Sequence, residues 1–232
     1  MTTPAARMKL YNYYRSSAAY RVRIALNLKG IAWDYIGVHL LKREQRAPEY
    51  LRINPFGLVP TLVDDDGAVL TQSLAIIEYL DELKPRKSPL LPKDRHARAH
   101  VRALAQSLAC DVHPLNNARV LNWLTNELGV TQQQKDAWIA HWIETGFEAF
   151  EQALDRSGLS GAFCCGDLPT LADCVLVPQV FSARRFCSPV ARAKQARARR
   201  TASLSVRCPA LCLAQPRVRD PVQWSLVPLP VA

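Results

Sequence analysis

Two adjacent serines, Ser16 and Ser17, stand at a change of hydrophobic period, and that change limits the folds open to the chain. Lys9 to Tyr13 alternates polar and apolar residues and reads as a strand. Ala18 to Lys29 then reads as a helix, with Val22, Ala25, Leu26 and the Lys29 stem on one face. Serine is a good N-cap and Gly30 a good residue just past a helix end, so both ends of the helix are marked. Ala32 to Val38 reads as a second strand and completes a βαβ unit. Hydroxyls at such a strand-to-helix turn lie beside free backbone N–H groups and the positive end of the helix dipole, where an anion is favoured.

The next stretch changes pattern. Glu49 to Ile53 reads as a short helix. Thr61–Val63 and Ala68–Leu70 read as a hairpin around Asp66-Gly67, a pair suited to a tight primed turn. Ser73 is expected to cap a helix from Leu74 to Leu83. A βαβ unit followed by ββα is the thioredoxin-like arrangement. Lys84 to Pro92, with three prolines and no period, reads as a linker. Beyond it, His96–Cys110, Leu115–Leu128, Thr131–Leu154 and Thr170–Phe186 read as helices. Thr170 to Asp173 matches a capping box, and Pro178 is expected to kink or end the last helix. The expected fold class is α+β: a thioredoxin-like part over 8–86, an all-helical part over 93–186 and an anomalous basic tail over 187–232.

Charge and composition exclude several classes. The net charge of +10 raises nucleic acid as a partner. Residues 187–232, however, hold eight Lys or Arg against one acid, Asp220, so +7 belongs to the tail and +3 to the other 186 residues. Aromatic residues do not interleave with the basic ones, which argues against nucleic acid. No apolar run reaches the length of about 18 that a membrane span needs. Met1 to Arg7 has no apolar signal core, so secretion is not expected. Seven cysteines without a Cys-x-x-Cys pair suit a reducing cytosol, and no histidine pair has zinc spacing, so no metal is expected. No Ser-His-Asp arrangement or phosphate-binding glycine loop is present.

Taken together, Arg15 to Leu26, Asn54-Pro55 leading to Leu58–Leu62, and Gln72 to Leu80 resemble the glutathione transferase superfamily. The wording is most similar to the zeta class, the maleylacetoacetate and maleylpyruvate isomerases. The resemblance implies glutathione as cofactor, with Ser16 stabilising its thiolate, Ser17 beside the same peptide and Arg15 adjoining both. It implies a cis Val59–Pro60 bond, with the Val59 backbone pairing with that of glutathione, and Gln72 and Ser73 at the γ-glutamyl end. Gln45, His113 and Asn117 are implied as further contacts to the cofactor. Arg15, Arg119 and Arg184 are implied for a substrate with two carboxylates, with Arg185 the alternative to Arg184. Many zeta members carry a cysteine where Ala18 stands, so a protein thiol is excluded there. Read singly, these residues have plainer uses: the serines cap helices, Leu-Val-Pro is a turn, and His113 before Pro114 is either structural or an acid–base group.

The implied activity is glutathione-dependent cis–trans isomerisation. A thiolate adds to a conjugated cis double bond, the resulting single bond rotates, and elimination gives the trans product. Maleylacetoacetate is the first expected substrate and maleylpyruvate the second. A broad glutathione transferase acting on halogenated acids is a third enzyme reading. A glutathione-binding protein without turnover, its helical part incomplete, is the reading from another class. A homodimer in the cytoplasm is implied, with no membrane partner. The resemblance stops at Phe186, where family members continue with further helices. A frameshift near Cys187 accounts for the Arg-, Ala- and Pro-rich wording that follows; a disordered basic tail is the alternative.

Overall fold

The computed structural model describes the backbone of residues 7–186 and the side chains through Ala183; both readings of the tail concern residues outside the described ones. Strands β1 (Met8–Asn12), β2 (Trp33–Gly37), β3 (Thr61–Val63) and β4 (Val69–Thr71) form one sheet in the order β2-β1-β3-β4. β1 runs parallel to β2 and antiparallel to β3, and β4 is antiparallel to β3. Helix α1 (Ser17–Lys29) makes the crossover; α2 (Pro48–Ile53) lies in the long connection to β3, and α3 (Ser73–Leu83) follows β4. This is the thioredoxin-like order expected.

The apolar side of α1 is broader than its sequence pattern. Ala19 to Leu26 are all buried, because α1 packs on both α3 and α7 (Leu171–Phe186). Three cations are buried with them: Arg21, Arg23 and Lys29. Lys29, fully enclosed, meets the Asp81 carboxylate and donates to the carbonyls of Lys84 at 3.1 Å and Lys87 at 2.8 Å. Asp81 also accepts from the Leu90 N–H at 2.8 Å, so the end of α1 ties down the linker.

The β3–β4 turn differs from the expected primed turn. It spans Asp64 to Ala68, and only Gly67 has a left-handed φ, +93°. The Asp64 carboxylate sets this geometry by accepting from the N–H groups of Asp66 and Ala68, both at 3.2 Å.

The helical part comprises α4 (Arg95–Gln106), α5 (Ala118–Asn126), α6 (Gln132–Ser157) and α7. The expected helix ending at Cys110 instead widens into a π turn over Ser107–Val112, and a 3-10 turn at Pro114–Asn116 precedes α5. A Cβ on Gly146 would overlap Val112, so the missing side chain is what admits the π turn against α6. α7 continues through Pro178 to Phe186, so the proline does not end it. At its start the Asp173 carboxylate accepts from the N–H groups of Thr170 at 2.8 Å and Cys164 at 3.1 Å. One apolar core runs through both parts and includes Leu10, Ile24, Ile77, Leu104, Phe147 and Val175. Tyr20 meets Phe181 edge-on at 6.3 Å across the two parts. No helix among the described residues is long and apolar enough to cross a membrane.

Candidate functional site

Strand direction gathers the candidate residues. Asn12 ends β1 opposite Gly37, while Tyr11 pairs with Thr61 and Thr61 with Thr71. The turn after β1, the turn before β3 and the turn after β4 therefore share one edge of the sheet. They carry Arg15 to Ser17, Val59-Pro60 and Gln72-Ser73 respectively.

The first turn is held from behind. Arg23 donates to Asn12 Oδ1 at 3.0 Å and to the Tyr14 carbonyl at 3.3 Å, with its guanidinium 5.2 Å from the centre of the Tyr20 ring. Ser16 is the N-cap of α1, its Oγ accepting from the Ala19 N–H at 3.2 Å. That bond uses a lone pair and leaves the hydroxyl proton to be donated elsewhere. Ser16 and Ser17 are half-buried, Arg15 is exposed, and the first turn of α1 contains no acid. The turn therefore offers a hydroxyl donor and a helix N-terminus to an anion.

Val59–Pro60 is cis, as the resemblance implies. Tyr50 Oη at 2.6 Å and Asn54 Nδ2 at 2.8 Å both donate to the Leu58 carbonyl. Asn54 Nδ2 also reaches Thr61 Oγ1 at 2.9 Å, so both ends of the turn are fixed by buried polar groups. Gly57, at φ +59°, lies against the Gln45 carbonyl and Arg46; a Cβ there would stand 3.0 Å from that carbonyl. This close approach brings half-buried Gln45, whose Oε1 has no partner among the described residues, to the Val59 turn.

The third turn differs from the expected cap. Ser73 is the first residue of α3, not its cap. Gln72 is the cap residue, at φ +67° and without a side-chain capping bond. A non-glycine residue in that region is uncommon and carries strain, which gathers at binding sites. Buried Ser73 instead accepts from Arg21 Nη1 at 3.2 Å. Arg21 was not among the sequence candidates: its place on α1 suits an ordinary surface cation, and nothing in its neighbours along the chain announces burial.

The helical part adds His113 and Asn117. Burial, helped by the Arg21 charge, pushes the His113 pKa down to about 3. It is therefore held neutral at physiological pH. Asn117 caps α5 by accepting from the Arg119 N–H at 3.1 Å; Arg119 itself is exposed. Arg184 and Arg185 lie in the last turns of α7, and their side chains are outside the described ones. A cavity of about 610 Å³ lies elsewhere, between the linker, α4 and the segment before α7, lined by Asp81, Leu91, Arg102 and Leu168 among others. The candidate residues line an open edge instead.

Two family models match: the glutathione S-transferase N-terminal domain over residues 15–83 and its C-terminal domain over 132–202. The chain belongs to the glutathione transferase family. The second match extends past Phe186, where the resemblance read from the sequence alone stops. A maleylacetoacetate isomerase of Pseudomonas aeruginosa is 46% identical over 211 residues, covering 90% of this chain and 96% of that protein. Among solved structures, a bacterial maleylpyruvate isomerase of the zeta class in its holo form aligns with a TM-score of 0.81 at 43% identity. That alignment covers 92% of this chain and 99% of the other. A maleylacetoacetate isomerase of Methylobacterium extorquens, solved with malonate and glutathione bound, aligns with a TM-score of 0.85 at 39% identity, covering 92% and 98%. The relatives identify the zeta class within the family.

Proposed function

We propose that the chain is a glutathione-dependent cis–trans isomerase acting on maleylacetoacetate. One observation carries the reading: the Ser16-Ser17, cis Val59–Pro60 and Gln72-Ser73 turns meet at one sheet edge, two of them at acid-free helix N-termini. Such an edge fits an anionic thiol-bearing peptide held along its length.

Glutathione, when bound, supplies a thiolate that adds reversibly to the substrate's conjugated double bond and so permits rotation about it. Ser16 would hydrogen-bond the sulfur through its free hydroxyl, keeping its own proton, and the N-terminus of α1 would favour the anion. Val59 offers its backbone to the peptide, with Gln45 beside it. Ser73 and Gln72 receive the γ-glutamyl end. His113, as a neutral group, and Asn117 border the cofactor from the helical part. Arg15, Arg119 and Arg184 hold the substrate carboxylates and offset charge developing on the enolate oxygen.

Maleylpyruvate is the second substrate reading, favoured by the structural match to the zeta-class maleylpyruvate isomerase. A homodimer in the cytoplasm belongs to the same reading. The division into a cofactor part over 8–86, a substrate-side part over 93–186 and a frameshifted end over 187–232 is likewise proposed. A neighbouring frame of the gene that encodes an amphipathic ending would support the last element; its absence would remove it. The function is tested by following both acids with purified protein, with and without glutathione. Turnover only with glutathione is expected, faster for maleylacetoacetate. No turnover by folded protein that binds glutathione would replace the proposal with the binding-only reading.

A further inference from the structure

Three cations are buried in α1, and they are not equally provided for. Lys29 has the Asp81 carboxylate and two carbonyls. Arg23 has Asn12, the Tyr14 carbonyl and the face of Tyr20. Arg21, only 2% exposed, donates to one neutral group, the Ser73 hydroxyl, while its Nε and Nη2 are buried without an acceptor among the described residues. Among the described residues, the ionisable side chains facing it from the helical part are Cys110 and His113, and neither is a carboxylate. A buried cation without a counter-charge is strongly unfavourable.

The bond to Ser73 has a direction. A guanidinium only donates, so Ser73 Oγ accepts from Arg21 and its own proton points elsewhere. Ser73 opens α3, whose first turn contains no acid and whose cap residue, Gln72, makes no side-chain capping bond. Free N–H groups, a hydroxyl fixed as a donor and a full positive charge behind it thus converge at one point. All three require an acceptor, and the charge requires an anion.

We infer that Arg21 is a positioning residue that fixes Ser73 as a donor and supplies the counter-charge for a ligand carboxylate at the start of α3. In the glutathione reading, on which this rests, that group is the α-carboxylate of the γ-glutamyl residue. The free protein is then held below its attainable stability by an unpaired charge, and the ligand relieves it.

The test compares wild type with Arg21→Met and Arg21→Lys. Melting temperature is measured without ligand. Calorimetric affinity is measured for glutathione and for 4-aminobutyryl-cysteinylglycine, the same peptide without that carboxylate. Arg21→Met is expected to melt no lower than wild type and to bind glutathione roughly 10- to 100-fold more weakly. It should bind the decarboxylated peptide as wild type does, and Arg21→Lys should recover much of the glutathione affinity. Unchanged glutathione affinity, or an equal loss for both peptides, overturns the inference, as does Arg21→Met melting well below wild type. A wild type that binds no glutathione overturns the glutathione reading itself; the ligand-free melting comparison then still decides whether the charge is unpaired.

Discussion

At Ser16 one oxygen has two tasks that do not compete: a lone pair caps α1 through the Ala19 N–H, and the proton remains for a ligand. Ser16→Ala removes both. It should lower kcat/KM roughly 100-fold, the usual scale for losing one donor to a developing or resident anion, and lower stability by about 1 kcal/mol for the cap. Steady-state kinetics and urea unfolding separate the two losses. His113 behaves differently. Its folded pKa is about 3, below the unfolded value of about 6.5, so the unfolded chain takes the proton first. Stability is therefore full above about pH 6.5 and declines as pH falls toward 3. Urea midpoints at about pH 7.5 and about pH 5 should show a smaller decline for His113→Gln than for wild type. Ser16 was legible because a hydroxyl at a change of period has a local mechanism. The state of His113 was not, because it depends on burial and, secondarily, on an arginine from α1, both of which only folding brings about.

At the scale of elements, α1 shows how a helix can bury more than its pattern announces. The sequence pattern places only the Lys29 stem on the apolar face, yet α3, α7 and the linker enclose Arg21 and Arg23 as well. Lys29→Met would leave the Asp81 carboxylate without its cation in a largely buried place. The expected cost is about 3–5 kcal/mol, seen as a lower melting temperature and earlier proteolysis in the 84–92 linker. The π turn is a second case. Helical period alone suggests a helix through Cys110, and the contact with Gly146 that reshapes it comes from more than thirty residues away. Gly146→Ala improves intrinsic helix propensity by about 1 kcal/mol but forces Val112 aside, a strain of about 1–3 kcal/mol. The overlap with Val112 is severe, so the balance favours a net loss of stability in urea unfolding. Ser73 illustrates the opposite limit: a serine before an apolar run reads as a cap, but Arg21 claims its oxygen and the helix begins one residue earlier.

At the scale of the molecule, strand order brings the parts of the site together. Once β1, β3 and β4 pair in that register, residues separated by more than fifty positions meet at one edge. The order βαβ then ββα was legible from period and punctuation, which are local. The convergence of Gln45 on the Val59 turn through Gly57 was not, since it rests on one close backbone approach. The helical part completes the surroundings by sharing a core with the sheet domain, so His113 and the start of α3 are fixed by the same packing. In the proposed reading this edge holds the glutathione sulfur as a thiolate at neutral pH. The most direct measurement is a pH titration of the bound glutathione thiol by its ultraviolet absorbance, in wild type and in Ser16→Ala. The account predicts a bound pKa well below the free thiol's value of about 8.5, moving back toward it when Ser16 is lost. An unshifted thiol in wild type, or a shift that survives Ser16→Ala unchanged, would contradict it.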